Sequence, residues 1–281
     1  IEIDRQKRIK RITEKPKKPV TKLVNTGLCI FTPTIFSYLH KLTKTSRKEG
    51  EVTEAVQKLA TEREDIYTVE LNGEEWTDIG NPWSLLLANK KFFNNTKQKI
   101  IKGDLEKNVT ITGPVIIKEK AIVKSGSYIE GPAFIGTATI IGPNSYIRSN
   151  SSIGSRVKIG HACEIKNSTI MNGTKIPHLS YVGDSIIGDN CNLGAGTLVG
   201  NLRFDEKHIK TISKDKLTDT GLKKLGVIMG DNVQTGINST FMPGVKIGAN
   251  SFVGPNVQVK RDIPENSRIF LIQQLEFRKT D

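Results

Sequence analysis

Residues able to move a proton and to hold an anion gather between positions 148 and 210. The densest run is Pro177-His178-Leu179-Ser180-Tyr181-Val182-Gly183-Asp184, then Asp189-Asn190-Cys191-Asn192-Leu193-Gly194-Ala195-Gly196-Thr197, then Asn201. Lys166 and Arg148 stand 12 and 30 residues before His178. An imidazole titrates near neutrality and can take a proton from a reacting group. Guanidinium and ammonium groups hold phosphate oxygens by charge-assisted hydrogen bonds, and Lys207 and Lys210 add two more such cations. Asn192 and Asn201 can bond to hydroxyls without adding charge. A lone histidine is more often structural or solvated, and that reading is kept for His40, His161 and His208, which lack such neighbours. Arg148 and Lys166 compete with the reading of a solvated face. Cys163 and Cys191 read as small apolar fillers, because nothing near them in sequence marks an activated thiol.

The element that must position these residues is a repeat. From Ile111 a small aliphatic residue returns every six positions through Ile117, Val123, Ile129, Ile135, Ile141, Ile147, Ile153 and Ile159 to Ile165. Five-residue steps then shift the frame to Ile170, Ile176 and Val182, and to Ile187, Leu193 and Val199. A second run reads Met229, Thr235, Phe241, Ile247, Val253 and Val259. A period of six fits neither a helix face nor a simple alternating strand. It fits a parallel β-helix, in which each unit is one short strand plus a turn and stacked coils build an aliphatic column. Three units make a coil, so residues 111–202 predict about five coils spaced by roughly 4.8 Å. The glycines after the aliphatic positions, as in Gly136, Gly142, Gly154 and Gly160, suit corners that need positive φ. Residues 202–226 break the period and read as a loop ejected from the prism.

The remaining bounds are loose. A chain of 281 residues with a repeat array and about 100 other residues suggests two domains. Three cysteines without metal-like pairing favour a reducing cytoplasm, and no apolar run has the length of a membrane span. No signal-peptide pattern opens the chain. The net charge of +13 is spread along the chain, densest over residues 5–22, without interleaved aromatics. It points to anionic small molecules rather than nucleic acid.

Residues 1–12 read as strand. Thr13-Glu14-Lys15-Pro16 follows, then Asn25-Thr26-Gly27-Leu28, a helix around Thr53-Glu54-Ala55-Val56, a strand at Ile66–Leu71, the run Glu75-Trp76-Thr77-Asp78-Ile79-Gly80-Asn81-Pro82-Trp83, and a helix over 83–95. These motifs, in this order, resemble the C-terminal half of an α/β sugar-1-phosphate nucleotidylyltransferase domain. The resemblance lacks that family's Gly-rich nucleotide loop, and the sequence matches from roughly 130 residues into the family's pattern. It implies that Glu14 and Lys15 lie near a sugar phosphate, Asn25 near the sugar, and that Asp78 holds Mg²⁺. A competing reading makes them turn residues of an inactive remnant.

The repeat and the cluster around His178 are similar to the acetyltransferase half of the bifunctional glucosamine-1-phosphate N-acetyltransferase/uridylyltransferases, above all the archaeal form, over essentially the whole chain. That resemblance implies a mainly β chain. It comprises a nucleotidylyltransferase part at 1–98 and a left-handed parallel β-helix at 99–281 with the insertion 202–226; the left hand would be an exception to the usual crossover rule. His178 then matches the catalytic base, while Arg148, Lys166, Tyr181, Asn192, Asn201, Lys207 and Lys210 match or neighbour substrate positions. Backbone N–H groups at Ala195, Gly236 and Gly254 would hold the acetyl-CoA arm. The implied reaction is acetyl-CoA-dependent N-acetylation of glucosamine 1-phosphate, coupled in the intact protein to transfer from a nucleoside triphosphate with Mg²⁺, giving a UDP-N-acetyl amino sugar. Leu202, where bacterial relatives carry an aromatic residue, and the longer loop make galactosamine 1-phosphate a second candidate substrate. β-Helices of this family pack as homotrimers, and loop 202–226 is expected to reach a neighbouring subunit. Two other classes stay open: a nucleotidylyltransferase whose β-helix serves only oligomerisation or regulation, and a β-helix that is a binding scaffold without chemistry.

Overall fold

The computed structural model describes residues 1–42, 52–63, 66–73 and 76–279. The chain forms two compact units, Ile1–Asp78 and Ile79–Asp281. Glu75 of the tryptophan motif lies outside the described residues.

In the first unit, Glu2–Ile3 (β1) pairs antiparallel with Ile9–Arg11 (β2). The helices Ile35–Leu39 (α1) and Val52–Arg63 (α2) follow, and Ile35, Tyr38 and Ala55 form their small apolar core. The strand expected at Ile66–Leu71 reduces to one antiparallel bridge, Arg8↔Tyr67. Val69 and Leu71 are exposed, so no buried face holds that segment to a longer pairing.

The second unit is a left-handed parallel β-helix. Its first face carries a five-stranded and a three-stranded sheet, bridged by Asn192 between Lys175 and Gln234; the second and third faces carry eight strands each. Residues stack on residues 18 positions on, as Ile111 on Ile129 and Ile129 on Ile147. Where the sequence takes its five-residue steps the offset falls to 17, as for Ile165 and Val182. Across the insertion it becomes 42, as for Val199 and Phe241. The aliphatic positions form one continuous core from Val115 to Ile263, with Cys163 and Cys191 inside it. Burying each isoleucine contributes roughly 1.5–3 kcal/mol, and no other element needs to cover this column.

The corners differ from the glycine reading. Of the four glycines named for positive φ, only Gly142 has it (+93°). Gly136, Gly154 and Gly160 are small because the next coil passes over them: a Cβ at Gly160 would lie 1.9 Å from the Pro177 carbonyl oxygen. Left-handed turns fall instead on residues such as Asn150, Asn190, Asn232, Asn250 and Asn256, since the short amide side chain tolerates that region.

Helix α3 (Ser84–Asn94) belongs to this second unit, with Trp83 and Leu86 packed on Ile186 of the third face. The compact units therefore divide at 78/79, whereas the repeat pattern alone sets the division at 98/99. Ile209 and Leu225 of the insertion join the same apolar cluster. The insertion forms an antiparallel hairpin, Lys210–Ser213 with Lys216–Asp219. The Thr211 hydroxyl donates to the Gly244 carbonyl, Ser213 to Asn81, and the Lys246 ammonium to the Ile212 carbonyl. The hairpin thus folds back on its own prism rather than leaving it, because Ile209 and Leu225 bury there; the stretch around Phe204 stays fully exposed.

Candidate active site

Each coil runs through the first face, a corner, the second face, another corner and the third face. His178 ends the first-face strand Lys175–His178 and is exposed. Leu179 then turns the chain at φ +45°, and the buried Ser180 hydroxyl donates to the His178 carbonyl at 2.7 Å. His178 therefore sits at the edge shared by the first and second faces. His161 lies directly beside it in the neighbouring coil.

The same corner stacks Gly194 on Gly236 and Gly236 on Gly254, so closely that a Cβ on Gly194 would meet Gly236 backbone at 2.5 Å. Ala195 follows Gly194, and its carbonyl accepts from Asn238 N–H in the next coil. His178, Ala195, Gly236 and Gly254 thus line one edge of the prism.

The second face carries the cations. Arg148 and Lys166 occupy neighbouring coils, Arg148 N–H donating to the Ile165 carbonyl. Arg148 donates to Glu164 at 2.9 Å and lies 5.6 Å from the Tyr146 ring centre. The Glu164 carboxylate pushes the Arg148 pKa up and so keeps it charged. Tyr146 donates to Glu130 at 2.8 Å, a bond that raises its own pKa. Lys166 pairs with Asp184 at 3.1 Å. Asn201 donates to Asp184 at 2.5 Å and to the Tyr181 hydroxyl at 3.1 Å. Burial, then the Asp184 charge, raises the Tyr181 pKa, so its phenol stays protonated at neutral pH. Gly183 is the floor beneath this pair: a Cβ there would lie 2.4 Å from the Tyr181 oxygen and 2.8 Å from the Asn201 amide nitrogen.

Arg148, Lys166, Tyr181 and Asn201 are thus brought together on one face, with His178 at its edge. Asn192 stands on the first face, between Lys175 and Gln234. Lys207 and Lys210 do not join the group. Lys207 donates its backbone N–H to Asp205, whose carboxyl the adjoining Arg203 holds well below the usual range. Lys210 lies in the hairpin opposite Asp219, which pairs with His208 at 3.3 Å. Among the described residues, neither lysine makes a hydrogen bond or ion pair with the second-face group.

Residue-type reasoning passed over Glu130, Tyr146, Glu164, Gly183 and Asp184. Asp184 and Gly183 stood in the quoted run, and the five-residue steps at Ile165–Ile170 and Val182–Ile187 mark the corner where Asn167 and Asp184 turn the chain.

In the first unit, Glu14 and Lys15 pair only loosely with each other at 3.8 Å, and Asn25 accepts from Gly27 N–H. Asp78 offers one carboxylate, and no group of three or more His, Cys, Asp or Glu side chains gathers anywhere among the described residues. A single carboxylate is a donor set Mg²⁺ accepts, its other ligands being waters and substrate phosphates. Among the described residues no helix is long and apolar enough to cross a membrane.

Three family models match along the chain. Residues 1–95 match the nucleotidyl transferase family, 129–241 the GMPPB C-terminal domain, and 226–261 the bacterial transferase hexapeptide family of six repeats. The chain is 51% identical over 281 residues to the bifunctional protein GlmU of Methanococcus maripaludis, covering 99% of this chain and 67% of that protein. It is 45% identical over 277 residues to the bifunctional protein GlmU of Methanocaldococcus jannaschii, with the same two coverages. A bifunctional sugar-1-phosphate nucleotidylyltransferase/acetyltransferase of Sulfurisphaera tokodaii shares 46% over 261 residues, 93% of this chain and 65% of that protein. The chain spans about two thirds of the length of these relatives. It belongs to the GlmU-type family of bifunctional sugar-1-phosphate nucleotidylyltransferase/acetyltransferases.

Proposed function

We propose that the β-helix transfers an acetyl group from acetyl-CoA to the amine of an amino-sugar 1-phosphate, glucosamine 1-phosphate or galactosamine 1-phosphate. The observation that carries the reading is the placement of Arg148 and Lys166 beside Tyr181 and Asn201 on the face that His178 borders. The cations would take the phosphate and the polar groups the sugar hydroxyls. His178 would take a proton from the amine as its nitrogen attacks the thioester carbonyl; as the C–S bond breaks, the protonated His178 returns that proton to the sulfur, which leaves as CoA thiol. Positioning supplies much of the rate, since no covalent enzyme intermediate is needed. The pantetheine arm would lie against the edge formed by Ala195, Gly236 and Gly254, where small or absent side chains admit it; the expected Gly236 and Gly254 N–H donors are not on offer, since they already bond the Val253 and Ile269 carbonyls of the next coil.

Residues 1–98 would contribute Glu14, Lys15, Asn25 and Asp78 to nucleotidyl transfer in the intact protein, with a nucleoside triphosphate and Mg²⁺, giving a UDP-N-acetyl amino sugar. The working assembly is a homotrimer in the cytoplasm. The test is release of CoA thiol from acetyl-CoA with each amino-sugar 1-phosphate, parent against His178→Ala. Release by the parent with a drop of about a hundredfold or more in the variant supports the reading. No release from a folded trimer leaves the β-helix as an oligomerisation module.

A further inference from the structure

Asp184 is 4% exposed, yet no role in the proposed reaction falls to it. Its carboxylate accepts from Asn167 at 2.7 Å on one oxygen, and from Lys166 at 3.1 Å and Asn201 at 2.5 Å on the other. Its backbone N–H donates to the Lys166 carbonyl, and its carbonyl accepts from Gly226, where the insertion returns. One buried acidic group therefore touches three coils.

A carboxylate only accepts, so an amide facing it must present its NH₂. Both Asn201 donors are then used, one on Asp184 and one on Tyr181. The Asn201 carbonyl oxygen is left as the outward acceptor. The Tyr181 oxygen accepts from Asn201, which leaves its own O–H to donate elsewhere. Lys166 is held by a single carboxylate oxygen and keeps two N–H bonds for an anion.

We propose that Asp184 is a positioning residue that sets the donor and acceptor polarity of the second face. It turns the Asn201 carbonyl and the Tyr181 O–H toward the ligand and pins Lys166 for the phosphate. The ligand class that fits is a phosphorylated sugar offering an O–H or N–H to Asn201 and an oxygen to Tyr181. This rests on the second face being the sugar-phosphate site.

Three proteins decide it: the parent, Asp184→Asn, and the double variant Asp184→Asn with Asn201→Asp. The double variant keeps an amide–carboxylate bond between the same coils but reverses its direction. Each is measured by thermal melting, by calorimetric binding of glucosamine 1-phosphate and of galactosamine 1-phosphate without acetyl-CoA, and by CoA release. Asp184→Asn is expected to bind the sugar phosphate about tenfold or more weakly, with KM for acetyl-CoA unchanged. The double variant regains the parent's melting temperature but not its affinity. Parent-like affinity in either variant makes Asp184 a structural tie and overturns the inference. If Asp184→Asn does not fold, the double variant alone decides. A parent that binds the sugar phosphate but releases no CoA removes the acetyl-transfer reading, while the affinities still judge Asp184. A parent that binds none overturns both.

Discussion

Gly183 fixes where two polar side chains come to rest. The first atoms a Cβ at this position would meet are the far ends of the Tyr181 and Asn201 side chains. These can move, so Gly183→Ala should fold with a melting temperature close to the parent's. It should raise KM for the sugar phosphate by about tenfold, the loss of one hydrogen bond, and steady-state kinetics with a thermal melt check both halves. The cysteines give a second prediction. Burial pushes the Cys191 thiol from its ordinary 9.0 up to about 11. Between those values the folded state holds more protons than the unfolded one, so stability must fall as pH rises through that range. Cys191→Ser should flatten this alkaline decline in a melting series. Cys29 is exposed while Cys163 and Cys191 are buried, so a thiol reagent should label one cysteine in the native protein and three after denaturation. At this scale the family resemblance singled out Arg148, Lys166, Tyr181 and Asn201 beside His178, and the chain brings them to one face. Asp184 and Glu164 were passed over, because a carboxylate that holds a cation looks in sequence like any solvated acid.

Among the elements, the coil was the legible part. Its signal is burial itself: every sixth side chain points inward, and nearly all are fully buried. Removing one leaves a void with little freedom to collapse between two stacked coils, so Ile159→Ala should destabilise by roughly 2–5 kcal/mol in denaturant titration. Corner chemistry was harder to read, since two demands compete there. The position after the aliphatic residue needs a small residue for the overlying chain, whereas the left-handed position falls mostly three residues after it. Gly194→Ala should therefore lower the melting temperature more than Asn250→Gly, as its Cβ meets Gly236 backbone at 2.5 Å while glycine keeps φ +58° at 250 and gives up only exposed side-chain bonds to Asn232 and Asn266. The strand expected at 66–71 had β-type residues but no partner surface, and propensity without burial gave a single bridge. The hairpin in the insertion was hidden because its pairing depends on Ile209 and Leu225 finding Ile186 and Trp83, contacts that no local pattern announces.

At the scale of the molecule, the proposed homotrimer is checked by sedimentation equilibrium, where a monomer across the micromolar range would remove it. Phe204, fully exposed near the start of the insertion, is the first residue to replace if trimers form: Phe204→Ser should weaken them, while a single chain would gain or lose nothing from it. The insertion also bears on how such a prism can vary. Closing 42 residues between stacked positions instead of 18 costs only about 0.7 kcal/mol of chain entropy, because the penalty grows with the logarithm of length. The interior column does not notice the excursion, since Val199 still meets Phe241 and Ile187 still meets Met229. A rod held together one layer at a time can therefore lengthen, shorten or exchange the segment that follows its second face while the scaffold beneath stays the same. New substrate preferences can arise there without any new fold.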